Sequence, residues 1–169
     1  MSKRKLKKYL SDLKKEALEE QLLDLYQRFP VVKEYYDFVF NPKEDKLVQE
    51  AKAKISNEYF PVRRKRARGR RSVAQKHIKH FIKLGVEPFM TADVMLYNLE
   101  IAQAFSAEKN VPDTFYKSML NSFDQAVRFV IINGLLSEFR ERILKVYLRT
   151  QEQDWPLEEA FDRVMDNME

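Results

Sequence analysis

Apolar side chains recur every three or four residues through almost the whole chain, and this spacing most limits how the chain can fold. In residues 13–29 they form one face of an α-helix, and later segments repeat the pattern. No stretch alternates apolar and polar residues with a period of two, as a half-buried strand requires. With only 3 Gly in 169 residues, little interrupts the helices. The sequence therefore predicts an all-α fold without strands.

Prolines, glycines and a capping pattern mark where helices begin and end. Pro88 and Pro112 suit the first turn of a helix, and Gly85 suits a left-handed C-cap. Ser72 and Gln75 have the spacing of a capping box, which predicts that a helix opens at Ser72. About eight or nine helices follow from these signals. We expect them to form antiparallel hairpins in a compact domain, with or without a slight superhelical twist.

We expect one domain over residues 1–169. It would consist of N-terminal helices in 1–60, a basic loop in 61–71 and helical hairpins in 72–169. The apolar faces of these helices would meet in a shared core. The predicted core residues are Leu22, Ile55, Phe81, Phe105, Phe123, Val130 and Phe139.

The formal net charge of +5 is unevenly distributed along the chain. Residues 3–8 hold five basic side chains and no acid, and residues 61–83 hold ten basic side chains and no acid. All 26 acidic residues therefore lie elsewhere. Such an asymmetry concerns binding partners and solubility rather than the fold.

The densest basic segment is the run from Arg63 to Arg71, in which seven of nine residues are basic. Guanidinium groups bind phosphate bidentately, and their binding releases counterions, so the run predicts contact with a polyanion such as nucleic acid. The run leads into the start of a predicted helix, where unpaired N–H groups attract anions. The predicted contact residues are Arg63, Arg64, Lys65, Arg66, Arg68, Arg70, Arg71, Ser72, Lys76 and Lys79.

Other interpretations of the basic run stay open. A loop that only keeps the protein in solution is one, although such loops usually mix Lys with Glu, and a nuclear localisation signal has the same composition. We expect the run to pack little, so that the fold does not depend on it; the alternative is that its arginines pair with acids of the acidic remainder. Only Tyr59 and Phe60 are aromatic neighbours in sequence, so base stacking is not predicted.

The sequence contains no catalytic constellation. Without Cys there is no thiolate chemistry, and 3 Gly cannot build a glycine-rich phosphate loop. His77 and His80 share a helix face, but lysines surround them and no acid lies in the same helix, so neither a metal nor a cofactor is predicted. Asp93 and Glu100 have no neighbouring His or nucleophile, and we expect them to be helix-surface charges.

No segment of the sequence predicts a membrane protein. Apolar runs such as residues 129–132 fall far short of the ~20 residues that span a bilayer. The basic start of the chain has no apolar stretch behind it, unlike a signal peptide. The absence of Cys fits a reducing compartment. We therefore expect a cytoplasmic, non-enzymatic protein that binds a polyanion; the alternative is a helical scaffold for a protein partner, with no role in nucleic-acid binding.

Several short segments of the chain resemble a known family. They are Met95-Leu-Tyr97 with Glu100, Phe115-Tyr-Lys-Ser-Met119, Gly134-Leu-Leu-Ser-Glu-Phe139 with Arg142, the basic start, and the stretch from Phe60-Pro61 to Ser72-Val-Ala. Over nearly its whole length the chain resembles an uncharacterised bacterial family, the domain of unknown function number 6155. The resemblance implies a helical fold and a bacterial cytoplasmic setting, and it implies no activity.

Overall fold

A computed structural model describes residues 2–63 and 66–168 of the chain. Every regular element in these ranges is an α-helix: α1 (Lys3–Ser11), α2 (Lys15–Arg28), α3 (Pro30–Phe40), α4 (Glu44–Tyr59), α5 (Arg71–Leu84), α6 (Pro88–Glu108), α7 (Asp113–Ile132), α8 (Leu136–Glu152) and α9 (Glu158–Asp166). The all-α prediction is confirmed. None of these helices is long and apolar enough to cross a bilayer.

The helices group into two compact units, Met1–Lys43 and Glu44–Glu169. The first unit contains α1 to α3, and the second contains α4 to α9. That all of residues 1–169 form one domain stays a prediction.

The first unit has no buried core. None of residues 2–43 is buried, and eleven of its large apolar side chains are exposed. Leu22 is 42% exposed, so the prediction that it belongs to a core is wrong. The apolar face of α2, which carries Leu22, is not buried by residues 2–43. Two hydrogen bonds link the helices: Gln21 Nε2 donates to the Tyr9 hydroxyl, and the Tyr26 hydroxyl donates to Asp37.

The second unit is built around α6. Nine of the 21 residues of this helix are buried, and it packs against α4, α5, α7 and α8. A helix that is enclosed on several sides carries apolar residues around most of its circumference, as α6 does. Five predicted core residues are confirmed as buried: Ile55, Phe81, Phe123, Val130 and Phe139. Phe105, near the C-terminus of α6, is half-buried.

α5 begins slightly earlier in the chain than predicted, so its first residue belongs to the basic run. The helix begins at Arg71, and the N-cap is Arg70, whose backbone is extended and whose side chain makes no capping bond. Ser72 lies within the first turn, so the predicted capping box is wrong. The C-terminal prediction is confirmed, because Gly85 has φ +80° and caps the helix in the left-handed conformation.

Two isoleucines on adjacent helices test the position of the core. Ile143 on α8 is 0% exposed, whereas Ile132 at the end of α7 is 82% exposed. Replacing Ile143 with Ala should lower the free energy of unfolding by about 2–5 kcal/mol, because the substitution leaves a cavity. The same change at Ile132 should stay within about 0.5 kcal/mol. Urea unfolding of the two variants measures the difference, and equal midpoints would show that the core is misplaced.

Candidate functional site

The end of the basic loop folds back onto α4. The backbone N–H groups of Arg68 and Gly69 both donate to the carbonyl oxygen of Glu58, at 3.1 and 3.3 Å. Gly69 has φ +56°, and a Cβ atom there would lie 3.6 Å from the Phe105 ring and 3.7 Å from the Tyr59 ring. Because glycine adopts this left-handed conformation without strain, the loop can lie directly against the two aromatic rings.

Arg70 is paired with an acid of α4. Its Nε atom lies 2.7 Å from Oε1 of Glu58, and its Nη2 atom lies 3.3 Å from Oε2. The Glu58 side chain is only 6% exposed, whereas that of Arg70 is half exposed. The hydrogen bond to Glu58 raises the pKa of Arg70. Arg70 itself stays exposed, as expected of a run that packs little, but its charge compensates a buried carboxylate, so the alternative of pairing with an acid applies to this residue.

Arg71 has a different environment, because its partners are neutral. Its Nε atom donates to Ser122 Oγ at 2.7 Å, and its Nη2 atom donates to Gln125 Oε1 at 3.2 Å. The Ser122 hydroxyl donates in turn to the carbonyl oxygen of Ser118. Burial lowers the pKa of Arg71, and the nearby Tyr59 opposes that effect. Within the described ranges no carboxylate pairs with this half-buried guanidinium.

Arg70 and Arg71 line an open groove of about 500 Å³ in the second unit. The groove runs between the end of the basic loop, the first turn of α5, and the segment that joins α6 to α7. Its lining includes three arginines and no acid. The lining residues are Ala67, Arg68, Gly69, Arg70, Arg71, Ser72, Phe105, Asn110, Val111, Pro112, Thr114, Phe115 and Ser118.

The predicted contact residues do not all meet at this groove. Arg68, Arg70, Arg71 and Ser72 line it. The N–H groups of Arg71 and Ser72 have no intrahelical acceptor, whereas that of Val73 donates to the Arg70 carbonyl oxygen. The other predicted contact residues are exposed but lie outside the lining, except for two that fall beyond the described residues. Exposed are Arg63, Arg66, Lys76 and Lys79; not described are Arg64 and Lys65.

The far wall of the groove was not predicted from the sequence. Phe105 and Phe115 come from α6 and α7, and their rings lie 6.3 Å apart. Phe105 was expected in the core, and nothing in the sequence places it beside the basic run. The sequence contains a weak indication of the partners of Arg71. Ser118, Ser122 and Gln125 recur at spacings of four and three and form a polar stripe on α7.

A second charged cluster joins α4, α6 and α8. Arg142 donates to both carboxylate oxygens of Glu100, at 2.6 and 2.9 Å, and to Asp93 Oδ1 at 2.6 Å. Lys52 reaches the other oxygen of Asp93 at 2.6 Å and lies 5.2 Å from the centre of the Tyr97 ring. Two cations therefore balance two carboxylates at the boundary of the core. Asp93 and Glu100 are partly exposed on the surface of α6, as expected, but they also form ion pairs across helices that the sequence did not predict.

This cluster does not have the electrostatics of an acid–base site. Burial raises the pKa of Asp93, but the hydrogen bonds from Lys52 and Arg142 outweigh burial and hold that pKa below its usual value. A carboxyl with a lowered pKa is ionised at neutral pH and is a weak base, which suits structural pairing better than proton transfer. The arrangement favours a role in holding the three helices together.

The two histidines of α5 lie in a basic environment. Burial lowers the pKa of His77, and the neighbouring Lys54, His80 and Lys76 lower it further. A lowered pKa keeps this imidazole neutral at pH 7. The described residues contain no group of three or more side chains that is suited to hold a metal ion.

A family model described as a family of unknown function (DUF6155) matches residues 1–169. No curated protein and no solved structure matches the chain. The resemblance seen in the sequence segments is confirmed at the level of the family. Three of the residues that carry it, Tyr97, Glu100 and Arg142, meet in the cluster of α4, α6 and α8.

The pairing of Arg70 with Glu58 predicts unequal effects within the basic run. Arg70→Ala should lower the midpoint of thermal unfolding, because it removes the bidentate partner of a buried carboxylate. Arg68→Ala removes the same charge from an exposed side chain and should leave that midpoint unchanged. Differential scanning calorimetry of both variants gives the comparison, and identical midpoints would contradict a structural role for Arg70.

The cluster around Arg142 predicts a pH-dependent contribution to stability. Arg142→Ala should cost about 3 kcal/mol, the lower end of the range for a buried pair, because the cluster is partly exposed. The folded pKa of Asp93 lies below 3.8, so this contribution is present at neutral pH and is lost as pH falls through the folded pKa. Urea unfolding at neutral and acidic pH measures it, with the exposed Arg140→Ala as the matched control. A loss that is the same at both pH values would contradict the assignment.

Proposed function

The chain belongs to this family of unknown function, and we propose that it is a non-enzymatic binding protein that holds a polyanion, with nucleic acid as the first candidate. The end of the basic loop and the first turn of α5 would form the contact. The proposal places the protein in the cytoplasm, where nucleic acid is abundant and a chain without Cys needs no oxidising environment.

The observation that carries the proposal is the environment of Arg71. A half-buried cation normally has an acidic partner, because neutral groups compensate the loss of hydration only in part. Arg71 has two neutral partners and lies in a groove whose lining contains no acid. An anion that enters the groove would therefore supply the missing counter-charge. Phosphate suits this place, because a guanidinium can present two N–H groups to it and the start of α5 adds backbone N–H groups.

The surroundings of the groove favour a polymer over a single phosphate. Arg68 within the lining is exposed, and the exposed Arg63 and Arg66 add positive charge outside the lining. Such side chains suit the contact with successive phosphates along a backbone, which is independent of base sequence. The Phe105 ring in the groove wall also offers an apolar surface that the sequence alone did not predict.

A second candidate function is a scaffold for a protein partner. It is favoured by the first unit, in which eleven large apolar side chains are exposed within 43 residues. A high density of exposed apolar side chains suits a protein–protein contact. The two functions are compatible, because they involve different residues.

Arg71→Ala should weaken binding to all nucleic-acid sequences alike, because phosphate contacts carry no sequence information. On duplex DNA each neutralised phosphate contributes about 0.9 to the slope of log affinity against log salt, so the slope should become shallower by about one unit. Fluorescence anisotropy of a labelled duplex, titrated at several salt concentrations, measures both effects.

Arg140→Ala is the matched control, since it removes the same charge from an exposed site on α8 outside the groove lining. Circular dichroism shows whether Arg71→Ala keeps its fold. Should that variant unfold, the exposed Arg68→Ala takes its place and should weaken binding in the same way. The proposal fails if the wild type does not bind duplex DNA, single-stranded DNA or heparin at low salt, or if the groove variants bind like Arg140→Ala.

A further inference from the structure

The first unit carries a basic helix and an acidic groove, and within the described residues neither forms an ion pair with another helix. α1 carries five basic side chains and no acid, and none of the five forms an ion pair within the described residues. One face of α2 forms a shallow, open groove of about 460 Å³, lined only by side chains of this helix: Glu16, Glu19, Glu20, Leu23, Asp24 and Gln27. Of its acids, Glu19 and Asp24 have only exposed partners on the same helix. A basic helix without ion pairs in the described residues and an acidic groove whose ion pairs are confined to α2 thus belong to one small unit.

From this complementarity we propose that the chain forms a twofold dimer, in which α1 of each copy lies in the acidic groove on α2 of the other. A twofold arrangement forms each contact twice, because every copy contributes both the helix and the groove. The inference does not rest on the proposed polyanion function, whose residues lie in the second unit.

The spacing of residues on the two helices supports this pairing. Lys3 and Lys7 lie four residues apart on α1, next to the exposed Leu10, and Glu16 and Glu20 lie four residues apart in the groove. Residues four apart share a helix face, so two Lys–Glu pairs can form side by side. Leu10 would then face the 61% exposed Leu23 at the centre of the groove.

The contacts within one copy leave this face of α2 unused. α1 reaches its own α2 through the hydrogen bond from Gln21 to the Tyr9 hydroxyl, and Gln21 does not belong to the groove lining. With 3.6 residues per turn, Gln21 lies well away from the direction shared by Glu16, Glu20 and Leu23. The groove is therefore open to a helix from a second copy.

The lack of a buried core favours association of the first unit with that of a second copy. None of residues 2–43 is buried, and units of about 40 residues usually need a further source of stability such as oligomerisation. Twofold docking would cover leucines that are now exposed, and this burial adds to the charge attraction. The apolar contact gives affinity, and the pattern of charges determines which surface is chosen.

Charge reversal tests the arrangement. One variant carries Glu16→Lys with Glu20→Lys, and the other carries Lys3→Glu with Lys7→Glu. Sedimentation equilibrium of the wild type should give twice the chain mass of 20.3 kDa. Each variant alone should dissociate at least about tenfold more readily, because attraction becomes repulsion at every pair. An equimolar mixture should dimerise again, since each copy then offers the charge that the other lacks.

The matched control for the acidic groove is Glu141→Lys with Glu152→Lys, which makes the same change of charge at exposed positions of α8. This control should remain a dimer. A monomeric wild type at low salt overturns the proposal, as does a mixture of the two reversed variants that stays monomeric. If the wild type is a monomer whose α1 binds anionic vesicles or nucleic acid, the proposal is also overturned, and α1 is assigned to that ligand.

Discussion

The enclosure of α6 by four other helices is the constraint on which the second unit depends. Because α4, α5, α7 and α8 all pack against this one helix, their positions are fixed relative to one another. The C-terminal part of α6 then brings Phe105 beside Tyr59, and the basic loop closes over these two rings through Gly69. The groove is thus a result of core packing, although its lining residues come from segments far apart in the sequence.

The fold uses some of its positive charge internally, and this changes how the basic run is interpreted. Arg70 compensates Glu58, while Lys52 and Arg142 compensate acids of α6. Counting charges along the sequence cannot separate these cations from Arg71, which has only neutral partners. The distinction depends on which acids the helices bring within a few ångströms, because charge pairing is strong only at short range and in partly buried places.

Most of the fold could be predicted from the sequence, but only part of the candidate site could. Helical periodicity predicted the all-α architecture, and core residues such as Phe123 followed from it, because side-chain burial depends on local spacing. The same reasoning gave a wrong prediction for Leu22. The helical pattern shows that α2 has an apolar face, but it does not show which surface, if any within the unit, buries that face. The groove was only half predicted, because the approach of Phe105 and Ser122 to the basic loop is a tertiary contact without a local pattern.

The hydrogen bonds that hold Arg68 and Gly69 to α4 also have a consequence for proteolysis. Trypsin cleaves after arginine, and it needs several residues of extended, accessible backbone at the bond that it cuts. The pinned end of the loop does not offer this, so the bond after Arg68 should resist trypsin, and a cut in the basic loop should fall before these hydrogen-bonded residues. Since α4 is packed against α6, a chain cut there would hold its two fragments together until it is denatured.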